Sequence, residues 1–501
     1  MNNISEKKGG VALSYIQMIL NVLMKFVYTP FLLKALGQNE YGLFSLTMSI
    51  VGYLAILDMG FGTTVTRYAV KYKSEGDREN LYKLYSTLSV IYVIIGILSL
   101  SLCLLLSSSA ETLFGQTMTT DEVGKLKIMI FLCGINLLFT FPLQISVSVI
   151  AAHERFIYKN TIVLLRTILQ PIVLILLLYL VRIKSVGAIV TVTTFNFLNY
   201  FVYYLYSVKR LDFKFYLSKF TPKMIPDLLS FSGWMFALMV FEQLQFNSGQ
   251  FVLGMFQNSA VVAVWGIAMI FVLNYRSLST AITNVFMPTF LSITFNNKQE
   301  ELETVSRRIV HIQSIILYFI LFNFFLFGSQ FVHIWAGGEY DEAYICAMIV
   351  MIPMTISLMM DFSYLYQMAT KMLKYRVLSF FGSLIFSFIV IFSYVGINLL
   401  SFSIMMSVSI LLGQVLFVTF FIVKKMELDL MNIFGRPMRS LFIIIVMTAI
   451  YYLFMRNSSL FQNEIFSFIA HIITYNMILI LIMWQFVLDG NDKAVMLRLK
   501  Q

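Results

Sequence analysis

Long, mostly apolar stretches dominate this 501-residue chain and restrict what it can fold into. Fourteen of them have about the 20 residues that a helix needs to cross a bilayer core. We predict spans near 11–36, 41–70, 84–108, 126–151, 156–181, 185–206, 227–256, 259–295, 309–327, 343–369, 376–396, 400–423, 440–455 and 464–488. The predicted fold class is therefore an all-α polytopic membrane protein.

The composition supports a membrane location. Hydrophobic residues make up 59% of the chain, charged residues 12%, and the mean hydropathy is +0.83. Ordinary globular proteins have about 45–50% apolar and about 25% charged residues. A soluble fold has too little interior for so much apolar surface, so much of it must face lipid.

The basic charges predict how the chain crosses the membrane. Of the 36 Lys and Arg residues, 27 fall in alternate segments that share a side with the N-terminus, and six fall in the opposite loops. Basic residues collect in cytoplasmic loops, so both termini are expected in the cytoplasm. This distribution explains the net charge of +11 without a nucleic-acid partner. No A-x-A site follows the first span, which is therefore expected to be retained.

The segments between the spans are too short for most enzyme sites. None exceeds about 20 residues, and the chain contains neither a GxxxxGK[ST] nor an H-E-x-x-H motif. The three cysteines, Cys103, Cys133 and Cys346, lie in apolar runs and form no CxxC pair. We therefore predict no enzyme activity, no metal site and no cofactor, and expect the function to lie between the helices.

An internal repeat divides the spans. Gln38-Asn39 opens the second span and Gln257-Asn258 opens the eighth, an offset of 219 residues. Each long span leads into a charged segment, 67–83 or 296–308, predicted to be a short helix on the cytoplasmic surface. Six spans per repeat make the two halves parallel, with a substrate site near the midplane between them.

This repeat predicts the domain organisation. An N-terminal six-helix lobe, a cytoplasmic linker, a C-terminal six-helix lobe and a trailing helix pair with a tail are expected at 1–210, 211–226, 227–424 and 425–501. Two parallel lobes enclose a V-shaped cavity, which is typical of alternating-access transporters.

Charged residues inside the predicted spans are the candidate functional residues. Each costs at least about 2.5–3.5 kcal/mol at a helix centre and so marks a cavity or a partner. They are Lys25, Asp58, Arg166, Glu242, Arg276 and Asp361. In one interpretation, Lys25 with Asp58 and Glu242 with Arg276 are structural ion pairs. In the other, the cations attract an anionic substrate and the carboxylates couple a cation or gate the lobes.

Two of these residues have further expectations. Arg166 could face the cavity as well, and a planar guanidinium suits the two oxygens of a phosphate. Asp361 is expected to pair with the cations in 371–376, and it stays among the coupling or gating candidates. Pro30, Pro288, Gly60 and Gly62 are candidate hinge or motif positions because such residues bend helices or allow close approach.

The end of the first span and the second span carry a family resemblance. The motifs are Thr29-Pro30, Leu36-Gly37, Glu40-Tyr41-Gly42-Leu43-Phe44, Leu57-Asp58-Met59-Gly60-Phe61-Gly62 and Arg67-Tyr68. They resemble the N-terminal signature of Wzx-type lipid-linked oligosaccharide flippases of the multidrug/oligosaccharidyl-lipid/polysaccharide (MOP) superfamily. Met59 stands where the family's D-L-G-x-G pattern has Leu.

The resemblance implies two six-helix lobes and export of an undecaprenyl-diphosphate-linked repeat unit to the outer leaflet, for O-antigen, capsule or exopolysaccharide assembly. It also implies a cationic cavity for the diphosphate, here with Lys25, Arg276 and Arg67. A bacterial inner-membrane location, coupling to H⁺ or Na⁺ and a polysaccharide polymerase as partner follow from the same resemblance.

Three alternatives remain open. A cation-coupled multidrug extruder is compatible with the acidic residues Asp58 and Glu242, whereas a lipid II flippase shares the cavity chemistry but not the span-2 motif. A membrane glycosyltransferase or polymerase should have a large outward loop. The largest here are 107–125 and 328–342, and the acidic cluster in the second has no basic partner.

Overall fold

The chain folds into helices. The computed structural model describes residues 3–58, 60–211, 213–226, 233–296, 298–394, 396–457 and 464–487. Within these ranges there is no β-strand, and thirteen helices are long and apolar enough to cross a membrane. The all-α polytopic prediction is therefore confirmed, and the chain is a multi-pass membrane protein.

The helices follow the predicted spans closely. In the first part of the chain they are α1 (Asn3–Leu36), α2 (Gln38–Ala55), α3 (Phe61–Ser74), α4 (Arg78–Phe114), α5 (Thr120–Ala152), α6 (Phe156–Leu176), α7 (Ser185–Arg210), α8 (Gly233–Phe256) and α9 (Ser259–Phe295). The predicted seventh span, 227–256, begins outside the described residues. Its described part, α8, is not one of the thirteen helices that meet the length and hydropathy requirement. This accounts for the difference from the fourteen predicted spans.

The remaining helices follow in the second part of the chain. They are α10 (Gln299–Ala336), α11 (Glu342–Met359), α12 (Phe362–Ala369), α13 (Leu373–Tyr394), α14 (Leu399–Ser409), α15 (Phe417–Phe421), α16 (Leu430–Asn457) and α17 (Glu464–Ile482). Two π-helical segments, Ile410–Leu416 and Ile422–Met426, flank α15 and continue its span.

Four local predictions were wrong. Span 343–369 is not one helix, because α11 ends at Met359 and α12 begins at Phe362. Span 41–70 is not one helix, because α2 ends at Ala55 and α3 begins at Phe61. Segment 67–83 is shared between α3 and α4, because Gly76 turns the chain at a φ of 71°. Segment 296–308 is not a separate surface helix. From Gln299 to Phe327 the sequence has no glycine or proline to stop a helix, so α10 runs from this segment into the membrane span.

Side-chain capping sets the start of α4. Asp77 accepts hydrogen bonds from the backbone N–H of Asn80 (3.0 Å) and from its side-chain amide (2.6 Å). These two bonds, the backbone bond first, hold the pKa of Asp77 below its usual range. The capped turn places Arg78, Glu79 and Lys83 just before the uncharged part of the helix.

The described residues group into two compact units, Met1–Gly266 and Ile267–Gln501. The boundary falls inside α9, so these units are not the predicted six-helix lobes, which stay a prediction. In the first unit, α4 packs on α5 and α5 on α7. Glu40 on α2, half-buried, pairs with Lys125 on α5 at 2.6 Å and accepts from the backbone N–H of Ser185 on α7 at 3.1 Å, which ties three helix ends together.

In the second unit, the trailing helices α16 and α17 pack on α10. Asn323 on α10 and Asn476 on α17 exchange amide hydrogen bonds of 3.0 and 2.9 Å. Between α16 and α17, the Tyr451 hydroxyl lies 3.1 Å from His471 Nδ1 and 2.6 Å from Thr474 Oγ1. These polar contacts stabilise the packing of α16 and α17 on each other and of α17 on α10, because lipid offers no alternative hydrogen-bond partner.

Candidate functional site

A helix break in the second predicted span positions the first candidate residue. After α2, the chain forms a 3-10 turn, Ile56–Asp58, and Gly60 then takes a left-handed conformation with a φ of 71°. A residue with a Cβ is strained at this angle, whereas glycine is not. The D-x-G-x-G motif therefore ends one helix, starts another and leaves Asp58 at the junction.

A tyrosine holds the Asp58 carboxylate. The Tyr92 hydroxyl, on α4, donates to Asp58 Oδ1 at 2.6 Å. Tyr92 is fully buried and its ring packs edge-on against Phe61, the first residue of α3, with 6.3 Å between ring centroids. A bond from a hydroxyl to a carboxylate is charge-assisted and stronger than one between neutral groups. Asp58 is therefore oriented by Tyr92 of α4, and the packing of Tyr92 on Phe61 connects this contact to the start of α3.

Arg166 belongs to the same cluster through Tyr200. Tyr200, half-buried on α7, interacts electrostatically with Asp58, with Arg166 on α6 and with Tyr92. The Arg166 Nε donates to Gln170 Oε1 at 3.1 Å. No carboxylate lies within ion-pair distance of Arg166 in the described part of the chain. The first unit thus places one acid, one base and two tyrosines together across α4, α6, α7 and the helix break.

Lys25 lies on α1 with an exposed side chain. Its carbonyl accepts from the Thr29 hydroxyl at 2.6 Å, next to Pro30, through which α1 continues without a break. The ion pair between Lys25 and Asp58, one of the two interpretations of the sequence, is absent from the described residues. The partner of Asp58 is Tyr92, because the break turns the carboxylate toward α4.

The other two candidates on the motif lie on α3. Arg67 is exposed, near the middle of the helix. Gly62 stands in its first turn, where a Cβ would meet only the Ser148 hydroxyl, at the ordinary contact distance of 3.4 Å. The two motif glycines therefore differ, since only Gly60 needs a conformation that other residues avoid.

Glu242 and Arg276 are both half-buried, the former on α8 in the first unit and the latter on α9 in the second. Residue 288 lies within α9 as well. Next to Arg276, the Tyr275 hydroxyl lies 2.7 Å from Thr355 Oγ1 and 3.3 Å from the Leu317 carbonyl, which anchors α9 against α10 and α11. The pairing of Glu242 with Arg276 stays a prediction.

Asp361 is part of a buried ion pair. It stands at a second helix break, between α11 and α12, and its Oδ1 lies 3.1 Å from an Arg376 nitrogen. The guanidinium also contacts the rings of Tyr364 and Phe380, at 5.3 and 5.4 Å. The predicted pairing of Asp361 with a cation in 371–376 is therefore present, and the cation of this ion pair is Arg376.

An apolar groove is a feature that the sequence did not predict. It lies between α16 and α17 and encloses about 780 Å³. Its walls are almost entirely apolar, formed by Phe442, Val446, Ile450, Phe454, Ile478 and Ile482 among others. Tyr451 and Thr474 supply the polar groups, and they bond to each other. Such a groove in a membrane helix pair can hold a hydrocarbon chain.

Comparisons with known proteins decide the family. Residues 7–294 match the family described as polysaccharide biosynthesis protein, which is more than half of the chain. The chain belongs to this family. The matched region contains the helix break and all the candidate residues except Asp361. None of the curated proteins matches the chain.

Solved structures show the fold of this family member. A lipid II flippase, MurJ, in an inward closed conformation is 14% identical, with a TM-score of 0.69, and the match covers 95% of this chain and 98% of that one. An inward-facing multidrug resistance MATE transporter of the MOP superfamily is 13% identical, with a TM-score of 0.63, covering 82% and 97%. A MOP superfamily transporter from Pyrococcus furiosus is 14% identical, with a TM-score of 0.58, and the match covers 86% of this chain and 99% of that one.

These likenesses show that the chain shares its fold with these proteins. The proteins that the chain resembles are transporters and flippases. Sequence reasoning found the charged residues of the site but missed Tyr92, Tyr200 and the groove. Tyrosines are frequent in these spans, and neither their spacing nor their neighbours single these two out.

Proposed function

We propose that this protein carries an undecaprenyl-diphosphate-linked oligosaccharide repeat unit from the inner to the outer leaflet by alternating access. The product serves the assembly of a surface polysaccharide such as O-antigen, capsule or exopolysaccharide. Membership of the polysaccharide biosynthesis family supports this substrate class. The MOP superfamily fold supports transport rather than an enzymatic reaction.

The apolar groove is the observation that carries the proposal. A polyprenyl chain is long, apolar and flexible, and the groove between α16 and α17 offers about 780 Å³ of almost wholly apolar space along the membrane. Burying a hydrocarbon there stabilises the complex by about 25 cal/mol per Å² of apolar surface. A groove for the tail lets the head group move while the lipid stays attached.

The charged residues serve the head group in this proposal. Lys25, Arg67, Arg166 and Arg276 bind the diphosphate, because a bare phosphate anion cannot cross hydrocarbon without cations beside it. Asp58 and Glu242 couple transport to H⁺ or Na⁺ or gate the cavity, and Asp361 acts on the gate through its pair with Arg376.

The location and the orientation have separate grounds. We place the protein in the bacterial inner membrane because of its membership of the polysaccharide biosynthesis family and its resemblance to Wzx-type flippases. We place both termini in the cytoplasm because 27 basic residues fall on that side and six on the other. A polysaccharide polymerase on the outer side would consume the product.

A lipid II flippase is the second candidate. The observation in its favour is the match to MurJ, which covers nearly all of both chains. A multidrug extruder is less well supported, since the MATE match leaves a larger part of this chain uncovered. No observation favours a glycosyltransferase or polymerase.

Depletion of the protein in its own cells separates these candidates. We expect lipid-linked oligosaccharide to accumulate on the inner leaflet while peptidoglycan synthesis continues. Accumulation of lipid II with loss of peptidoglycan would favour the second candidate. If neither lipid accumulated, the flippase proposal would be wrong.

The head-group assignment has its own test. Lys25→Ala and Arg276→Ala should each reduce export strongly, because the diphosphate loses a cation in a low-dielectric site. Lys25→Arg and Arg276→Lys, which keep the positive charge, should retain part of the export activity. Export is measured as surface polysaccharide in a depleted strain, with membrane insertion checked by blotting. Full export by both alanine variants would show that these residues do not bind the diphosphate.

A further inference from the structure

Residues 213–226, which follow α7, form a segment that we call the strap. Its described structure is extended chain with two short 3-10 turns, Leu217–Lys219 and Pro222–Met224. The strap packs on the first turns of α4. We propose that the strap is a binding surface for anionic phospholipids, with its apolar side chains in the bilayer interface and its lysines at the lipid phosphates.

Two hydrogen bonds fix the level of the strap along α4. The backbone N–H of Tyr216 donates to the Ser86 hydroxyl at 3.1 Å, and that of Thr221 donates to the Thr87 hydroxyl at 3.0 Å. Both hydroxyls are fully buried. The contact is therefore built into the fold and is not a loose surface association.

The level of these hydroxyls is the edge of the membrane. The last charged residue of the first turns of α4 is Lys83, and no further charge occurs before Glu111. Ser86 and Thr87 follow Lys83 by three and four residues, about 5 Å along a helix. The strap consequently lies where the polar head groups meet the acyl chains.

One side of the strap is anchored and the other is exposed. Phe213 is buried against Tyr85, with 5.4 Å between ring centroids. The next apolar side chains point outward: Phe215 is 46% exposed, Tyr216 42% and Leu217 70%. Three adjacent exposed apolar residues at this level match what interfacial segments bury between head groups and acyl chains.

The charge around these residues selects the lipid. Lys214 and Lys223 are exposed, and Lys209 and Arg210 close the preceding helix. The Lys219 ammonium lies 5.1 Å from the centre of the Tyr82 ring and 5.5 Å from that of Tyr216.

Glu79, paired with Lys83 at 2.6 Å, is the acidic group that interacts with Lys219. Asp212 and Asp227 flank the strap in sequence and lie outside the described residues. Basic clusters at a membrane surface attract anionic lipids, which are enriched on the cytoplasmic side.

A depth measurement tests the contact. A spin label on Leu217→Cys, read in vesicles of phosphatidylcholine with or without phosphatidylglycerol, should be shielded from a water-soluble relaxing agent in the anionic vesicles. The native cysteines Cys103, Cys133 and Cys346 are buried, so the new cysteine is the reactive one. A label that remains in water in the anionic vesicles would overturn the proposal, as would shielding found only in native membranes, which would indicate a protein partner.

A binding measurement tests the charges. In detergent, phosphatidylglycerol should raise the melting temperature of the wild type. The triple variant Lys214→Gln/Lys219→Gln/Lys223→Gln should need at least about tenfold more phosphatidylglycerol for the same rise in melting temperature, because each lysine contributes to the attraction. The control Lys34→Gln/Lys127→Gln/Lys184→Gln loses the same charge away from the strap and should respond as the wild type does. The proposal would be contradicted if both triple variants responded equally to phosphatidylglycerol. It would also be contradicted if inorganic phosphate raised the melting temperature as much as this lipid does.

Discussion

At the scale of single residues, the informative result is that a hydroxyl, and not a cation, holds Asp58. The Tyr92 oxygen lies 2.6 Å from the carboxylate, whereas Asp361 is neutralised by Arg376 at 3.1 Å. A carboxylate without a cation in contact can take up a proton or a cation without first breaking an ion pair. This difference makes Asp58 the better coupling candidate of the two.

Replacing Tyr92 by Phe tests this role. The variant leaves a buried carboxylate without its donor, so we expect a loss of about 1–3 kcal/mol in stability and a shift in the pH dependence of transport. The matched control is Tyr475→Phe, which removes an equally buried hydroxyl whose partner is the neutral Thr448 at 3.0 Å. Thermal unfolding and transport assays at several pH values compare the two. Equal effects of the two variants on the pH profile would remove Asp58 from the coupling mechanism.

The charged residues of the site could be predicted, but their partners could not. A charge in an apolar run is visible in the sequence because it is costly in a membrane. Tyr92 follows Asp58 by 34 residues, and Tyr200 lies on a helix further along. Which tyrosine reaches the carboxylate depends on how α4 and α7 pack, and the apolar pattern carries no information on that packing.

At the scale of helices, the break between α2 and α3 shows why prediction succeeded for the spans and failed inside them. Spans are set by length and hydropathy, which the sequence displays directly. The break depends on one backbone angle at Gly60, and a hydropathy pattern carries no information on backbone angles. The sequence analysis also missed the second break, between Met359 and Phe362, where no glycine or proline marks the end of a helix.

The motif glycines give a prediction at this scale. Gly60→Ala should destabilise the protein by about 1 kcal/mol, because a Cβ is strained at a φ of 71°. Gly62→Ala should be neutral or slightly stabilising, since this residue is already in a helical turn with room for a methyl group. Both are measured by thermal unfolding in detergent. The reverse order would mean that the break does not depend on Gly60.

At the scale of the whole molecule, the apolar groove connects the fold to the proposed substrate. It lies on the trailing pair α16 and α17, outside the part of the chain that the family match covers. The sequence predicted this pair as two ordinary spans. A groove arises from the shapes of facing side chains, and these are not visible in a hydropathy pattern.

Filling the groove tests its role. Val446→Trp adds bulk inside it and should weaken binding of a polyprenyl phosphate by about tenfold, equivalent to about 1.4 kcal/mol. Ile445→Trp is the control, because this neighbouring residue is 46% exposed and is not part of the groove wall. Native mass spectrometry with polyprenyl phosphate measures both. Unchanged binding in Val446→Trp would show that the tail lies elsewhere.

The attachment of the trailing pair has a consequence for how such transporters diversify. Within the described residues, α16 packs mainly on α10. The amide pair of Asn323 with Asn476 and the ring contacts of Phe327 with Phe468 and Tyr475 join α17 to α10. A module that packs mainly on one helix can be gained or lost with few compensating substitutions elsewhere. Exchanging the pair between relatives is thus a practical route to chimaeras with altered lipid preference.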